Sequence, residues 1–179
     1  MSKAEYRPTT GGGCPMILIK RLCDTLSPLK RPDVRELKEA LAAIGCTPEL
    51  VAPYVSEPER LPYGRNVLYR SDEVEAIVVH LPARSETYIH DHGSSAGCAL
   101  VVEGIMQNAM FQVDERGEAA YVAEFRMREG QTILAPKGQI HQMSNPGARR
   151  TVSLHLYSPP LSGAKTYKRA EQYVLDYVI

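Results

Sequence analysis

The sequence lacks an excess of either charge: 21 basic side chains stand against 21 acidic ones among 179 residues, a formal net charge of zero. A neutral balance gives no electrostatic reason to expect a nucleic acid or an anionic membrane as partner. The even spread of those charges marks no protein-docking surface either, so a monomer or weak homo-oligomer is expected. No stretch approaches the roughly 18 consecutive apolar residues that a membrane span needs. The N-terminus lacks a signal-peptide arrangement, and a soluble, cytoplasmic protein is the expectation. Cysteines are few: Cys14, Cys23, Cys46 and Cys98 are scattered and form no Cys-x-x-Cys pair, which argues for free thiols in a reducing compartment and against a disulfide frame or a zinc site. Gly11-Gly12-Gly13 is followed by no Gly-Lys-Ser/Thr, which removes a phosphate loop from consideration.

What is present divides into three stretches. Residues 1–15 are Gly-rich and polar and read as a disordered tail. Residues 16–60 have helical spacing: Ile17, Leu18 and Leu22 recur, then Val34, Leu37, Leu41 and Ile44, with Gly45 as a stop signal. Pro32 suits a helix's first turn, and Thr47-Pro48 is a cap-plus-first-residue pair for a short helix through Val55. From residue 61 to 179 the character changes to short β-branched and aromatic runs between turns. Strands are expected at 66–69, 76–81, 86–90, 98–113, 119–127, 132–134, 141–143 and 151–157, with a strand or irregular cover at 168–179. Many short strands with tight turns, such as Pro136-Lys137-Gly138, imply an all-β sandwich or barrel carrying N-terminal α-helices.

Two of the five histidines stand in Tyr88-Ile89-His90-Asp91-His92-Gly93. In a strand His90 and His92 share a face while Ile89 and Asp91 point the other way. Such a pair is either half of a metal site or two surface histidines at a loop mouth. Further along, Gly104 stands seven residues after Gly97, and Gly130, Pro136, Gly138, His141 and Asn145 follow. This set resembles the two motifs of the cupin superfamily: His-x-His, four residues, normally Glu, six residues, Gly; then Gly, five residues, Pro-x-Gly, two residues, His, three residues, Asn. The resemblance implies a jelly-roll barrel (a double-stranded β-helix) in which His141 joins His90 and His92 on one metal ion. Gly97 occupies the place of the usual glutamate ligand, so the implied site has three neutral imidazoles. That leaves a divalent ion its full charge and open positions, which favours an anionic ligand plus oxygen.

In Thr151 to Pro160, the polar residues Ser153, His155 and Tyr157 alternate with Val152, Leu154 and Leu156. A strand there turns a hydroxyl, an imidazole and a phenol to one face, where burial requires them to be hydrogen-bonded. Ser-x-His-x-Tyr-Ser-Pro-Pro after a three-histidine cupin is similar to the cysteine dioxygenase family, and the likeness spans roughly residues 61–161. Tyr63-Gly64-Arg65-Asn66 resembles that family's Tyr-x-Arg-Asn segment. The resemblance implies oxidation of L-cysteine by O₂ to cysteine sulfinate. Fe(II) would sit on His90, His92 and His141; Arg65 and Tyr63 would hold the substrate carboxylate; Tyr157, oriented by His155 and Ser153, would act on oxygen or substrate. Cobalt, nickel or zinc would also suit three imidazoles.

Gly97 departs from the animal members, where a cysteine at this place is joined to the active-site tyrosine. Cys98 lies on the opposite face by alternation, so Tyr157 is expected unmodified. His80 reads as a core or edge histidine, Asp91 as a supporting or structural residue, and Arg70, Arg84, Arg149 and Arg150 as solvated charges. The rival readings are a dioxygenase acting on 3-mercaptopropionate, a cupin isomerase or different oxygenase, and a non-enzymatic cupin that stores or senses a small ligand.

Overall fold

The computed structural model describes residues 16–170; the expected tail at 1–15 and the end of the chain beyond 170 lie outside them. Three helices come first: α1 (Met16–Leu26), α2 (Val34–Ile44) and α3 (Pro48–Val51), the last running into a 3₁₀ turn at Ala52–Tyr54. Helix α2 is held at both ends. The Asp33 side chain accepts from the backbone N–H groups of Arg35 and Glu36, the Glu36 side chain accepts from the Asp33 N–H, and Gly45 closes the helix at φ +58°. A reciprocal cap of this kind contributes about 1 kcal/mol. Pro32 therefore lies one residue ahead of the Asp33 cap rather than in the first turn, because the carboxylate takes the capping position. Thr47 caps α3 with Pro48 as its first residue, as the sequence indicates.

Ten strands follow among the described residues: β1 (Gly64–Arg70), β2 (Glu75–Leu81), β3 (Ile89–His90), β4 (Ala96–Glu103), β5 (Ile105–Val113), β6 (Ala119–Arg128), β7 (Thr132–Ala135), β8 (Ile140–Ser144), β9 (Thr151–Ser158) and β10 (Thr166–Tyr167). They form two five-stranded antiparallel sheets, ordered β1-β2-β9-β4-β7 and β10-β3-β8-β5-β6. The single run expected at 98–113 is two strands. Gly104, at φ +86°, makes the corner, and a Cβ there would meet the Arg150 carbonyl oxygen at 2.6 Å. The run expected at 86–90 is strand only at its end, and β10 was not foreseen, since two residues carry no periodicity.

Strands β2 and β9 are buried along their whole length because the first sheet is covered on both faces. Its outer face, with Ala76, Val78, Cys98, Leu154 and Leu156, packs against Leu18, Leu22, Leu37 and Leu41 of the helices. Its inner face, with Ile77, Val79, Val101 and Tyr157, meets Met106 and Met143 of the second sheet. A strand buried on both faces loses the apolar/polar alternation of a half-exposed one. The polar residues that nonetheless alternate along β9 are therefore inside the barrel. No helix among the described residues is long and apolar enough to cross a membrane.

Candidate metal centre and substrate cavity

Strand pairing assembles the three histidines. His90 in β3 lies directly opposite His141 in β8, so both imidazoles leave the same face of the second sheet. His92 follows two residues later and swings in beside them, its ring centroid 4.8 Å from that of His141 and 5.2 Å from that of His90. Gly93 makes this possible: it sits at φ +60°, and a Cβ there would approach the Ser162 carbonyl oxygen to 2.3 Å. One nitrogen from each ring falls within 4.8 Å of the others.

Hydrogen bonds fix which nitrogens face inward. His141 Nδ1–H donates to Asn108 Oδ1 at 2.6 Å, and His90 Nδ1–H donates to the Tyr88 carbonyl at 2.8 Å. In each ring the Nε2 lone pair is left free. The Nε2 atoms of His92 and His141 are 3.1 Å apart, close to the ~3.0 Å between two nitrogens bound at right angles about 2.1 Å from one ion. His92 Nδ1 is buried and has no partner among the described residues. Burial depresses all three imidazoles: His92 falls to about 4, helped by the neighbouring His90 ring, His141 goes well below its ordinary range, and His90 is also lowered. At neutral pH the rings are uncharged acceptors, the state in which histidine binds a metal ion. A buried cluster of converging lone pairs fits a divalent cation. Asn108 was missed in the sequence. The available signal was a polar residue in register with Met106 and Met110 on the inward face of β5.

The other expected residues separate into two groups. Tyr63, Arg65, His90, His92 and Tyr157 line one cavity of about 290 Å³, whose apolar walls include Ile77, Val79, Met143 and Leu161. His141 sits behind it at the histidine cluster, fully buried. Ser153 and His155 do not line the cavity; they stand behind Tyr157 in a chain. Ser153 Oγ lies 2.7 Å from His155 Nε2, and His155 Nδ1 lies 3.1 Å from the Tyr157 hydroxyl. Burial pushes His155 down to about 3 and raises the Tyr157 phenol above its ordinary value. Both are therefore neutral across the physiological range. The Tyr157 ring lies tilted against His92, 4.9 Å from centroid to centroid.

Gly97 and Cys98 take opposite faces of β4. Gly97 pairs with Tyr157 across the sheet, whereas Cys98 is buried with the helices, its thiol pushed up to about 12 by that burial. His80 is buried on the outer side, Nδ1 lying 3.0 Å from the Ser56 carbonyl. Asp91 is structural: it accepts from the Gly93 and Lys165 N–H groups and from the Tyr167 hydroxyl. Asn145 ties strands together by donating to the Leu81, Pro82 and Arg149 carbonyls. Arg70 and Arg150 are exposed, as expected of solvated charges, and each also has a partner: Arg70 donates to Glu75, and Arg150 makes a bidentate pair with Glu103.

Two facing antiparallel sheets that enclose a three-histidine cluster define a cupin. Solved structures agree on the fold. A Klebsiella pneumoniae protein with a double-stranded β-helix domain superposes with a TM-score of 0.56 at 18% identity, over 66% of this chain and 89% of that one. A Thermus thermophilus protein gives 0.51 at 16% identity, over 61% and 93%. An oxalate oxidase gives 0.50 at 13% identity, over 63% and 58%. Within this class the sequence is more specific: residues 30–170 match the family described as cysteine dioxygenase type I, and the chain belongs to that family.

Proposed function

We propose that this protein is a thiol dioxygenase that converts L-cysteine to cysteine sulfinate, with Fe(II) held by His90, His92 and His141. The observation that carries the reading is the convergence of neutral imidazoles, an arginine and a phenol on one small cavity, in a chain of this family. The reaction balances without a further reductant: sulfur gains both atoms of O₂ and gives up the four electrons that O₂ accepts. Bound iron would supply adjacent positions for thiolate and oxygen and a path for electrons between them.

The chain's own residues do the rest. Arg65 offers a planar donor fork to the substrate carboxylate, with the Tyr63 hydroxyl beside it. The walls of Ile77, Val79, Met143 and Leu161 keep bulk water from the reacting sulfur. A neutral imidazole has a single N–H, which couples the Ser153–His155–Tyr157 chain. When the Ser153 hydroxyl donates to His155 Nε2, Nδ1–H donates to the Tyr157 oxygen. The Tyr157 O–H is then free to donate into the cavity, where it steadies charge building on oxygen or sulfur. A cytoplasmic setting, where small thiols stay reduced, is part of the same proposal.

Sulfinate formation from L-cysteine and 3-mercaptopropionate, followed side by side on Fe(II)-loaded protein, tests the reading. A higher kcat/KM for cysteine is expected. A preference for 3-mercaptopropionate would reassign the substrate and keep the iron site, and oxidation of neither would sink the proposal.

A further inference from the structure

Glu75 opens β2 with its carboxylate entirely excluded from solvent, and two guanidiniums meet it there. Oε1 accepts from Arg70 at 3.0 Å and from Arg65 at 3.4 Å. Oε2 accepts from the backbone N–H of Leu161 at 3.0 Å. Through these bonds one side chain reaches two walls of the cavity: Arg65, and the segment 161–164 that borders the opening. Glu75 also lies directly across the sheet from Tyr157. A buried carboxylate persists when it is paired and hydrogen-bonded, and the one here has three donors.

The charges do not cancel. One carboxylate faces two guanidiniums, which leaves the group one net positive charge. Arg70 is 56% exposed and Arg65 34%, and Arg70 is not among the residues that line the cavity. Without Arg70, Glu75 would neutralise Arg65 alone, and a carboxylate arriving at Arg65 would meet a compensated pair.

We infer that Glu75 and Arg70 are positioning residues for substrate recognition: Glu75 aims Arg65 and pins Leu161, and Arg70 offsets Glu75 so that Arg65 keeps its attraction for a carboxylate. This rests on the thiol reading of the cavity, in which Arg65 takes the carboxylate. It assigns selection between thiols with and without a carboxylate to a residue outside the cavity.

The test is anaerobic calorimetric titration of the Fe(II)-loaded protein with L-cysteine and with cysteamine, which has the thiol and amine but no carboxylate. Turnover is not needed, so a wild-type protein that binds cysteine yet takes up no oxygen would overturn the proposed function without touching this inference. Arg70→Ala is expected to weaken cysteine binding about three- to fivefold, the range for a partly exposed charge, with cysteamine binding and iron content unchanged. Arg70→Lys should restore it. Glu75→Gln removes the opposing charge but, with its oxygen kept on the Leu161 N–H, turns an amide donor toward both guanidiniums; the lost aim of Arg65 should dominate and weaken cysteine about tenfold or more, again sparing cysteamine. Equal losses for both thiols, or unchanged cysteine binding in Arg70→Ala, would overturn the inference. Should Glu75→Gln fail to fold, the Arg70 pair decides alone.

Discussion

The Gly97 backbone lies against the Tyr157 ring: a Cβ built on Gly97 would sit 2.5 Å from Tyr157 Cδ1, 2.7 Å from Cε1 and 3.0 Å from the Leu156 carbonyl oxygen. The absent side chain is what lets the phenol lie flat against β4 and present its hydroxyl to both His155 and the cavity. The lack of a side chain at this one position thus seats the tyrosine. Gly97→Ala should overpack this contact, costing about 1–3 kcal/mol of stability and moving the hydroxyl. Thermal unfolding together with kcat checks it; an alanine variant with wild-type Tm and kcat would contradict the packing account.

Cys98 cannot replace a cysteine at that place, because it projects from the far face of β4 into the helix-covered core. Intact-mass and peptide analysis of protein that has turned over substrate should show an unmodified Tyr157. A Cys98–Tyr157 crosslink would refute the assigned register.

Asn108 holds His141 with Nε2 turned inward, through its bond to His141 Nδ1. Asn108→Ala should weaken metal affinity about 10- to 100-fold, the usual effect of losing a partner behind a histidine ligand, while β5 and β8 remain paired. Metal content after dialysis against a graded chelator measures this. Retention equal to wild type would show that the bond does not orient the ring.

Removing the Tyr157 hydroxyl tests its role apart from metal and substrate binding. Tyr157→Phe keeps the ring over Gly97 and should lower kcat about 100-fold with iron content unchanged. A fall in iron loading that matched the fall in kcat would place the effect at the metal instead.

Four imidazoles depressed by burial, three of them buried and His90 half-buried, make metal-free protein sensitive to acid. His155 falls from an ordinary 6.5 to about 3, and His90, His92 and His141 shift the same way. The unfolded chain then binds more protons than the folded one below about pH 6.5. The stability from keeping His155 neutral is complete above that pH and is lost progressively toward pH 3. Each such group adds up to about 1.4 kcal/mol per pH unit to the slope. Denaturant unfolding of the metal-free protein between pH 7 and 4 should show this, with a shallower slope in His155→Gln; a pH-independent midpoint would contradict it.

The residues legible in the sequence are those set by local spacing. Ser153 with His155 and Tyr157 is a set that alternation along β9 places on one face, the His90–His92 spacing is local although His92 lies just past the end of β3 and is brought in by the turn at Gly93, and the glycine at 130 marks a turn that the second motif needs. The residues that stayed hidden act across strands. Asn108 reaches His141 only through the β5–β8 register, and Glu75 meets Arg65 and Arg70 only through the β1–β2 pairing. Pairing partners are not encoded in any local period, so Arg70 looks like any surface charge until β2 is laid beside it. The unforeseen break at Gly104 has a similar cause: the flanking runs are both apolar, and only the corner geometry separates them.

In the proposed reaction the cavity adds both atoms of one O₂ to a thiol sulfur. Anaerobic Fe(II) reconstitution, followed by addition of L-cysteine and ¹⁸O₂, tests it most directly through oxygen uptake and product mass. One O₂ consumed per sulfinate, with both new oxygens labelled, is the expected result. Uptake without sulfinate, or sulfinate carrying oxygen from water, would contradict it.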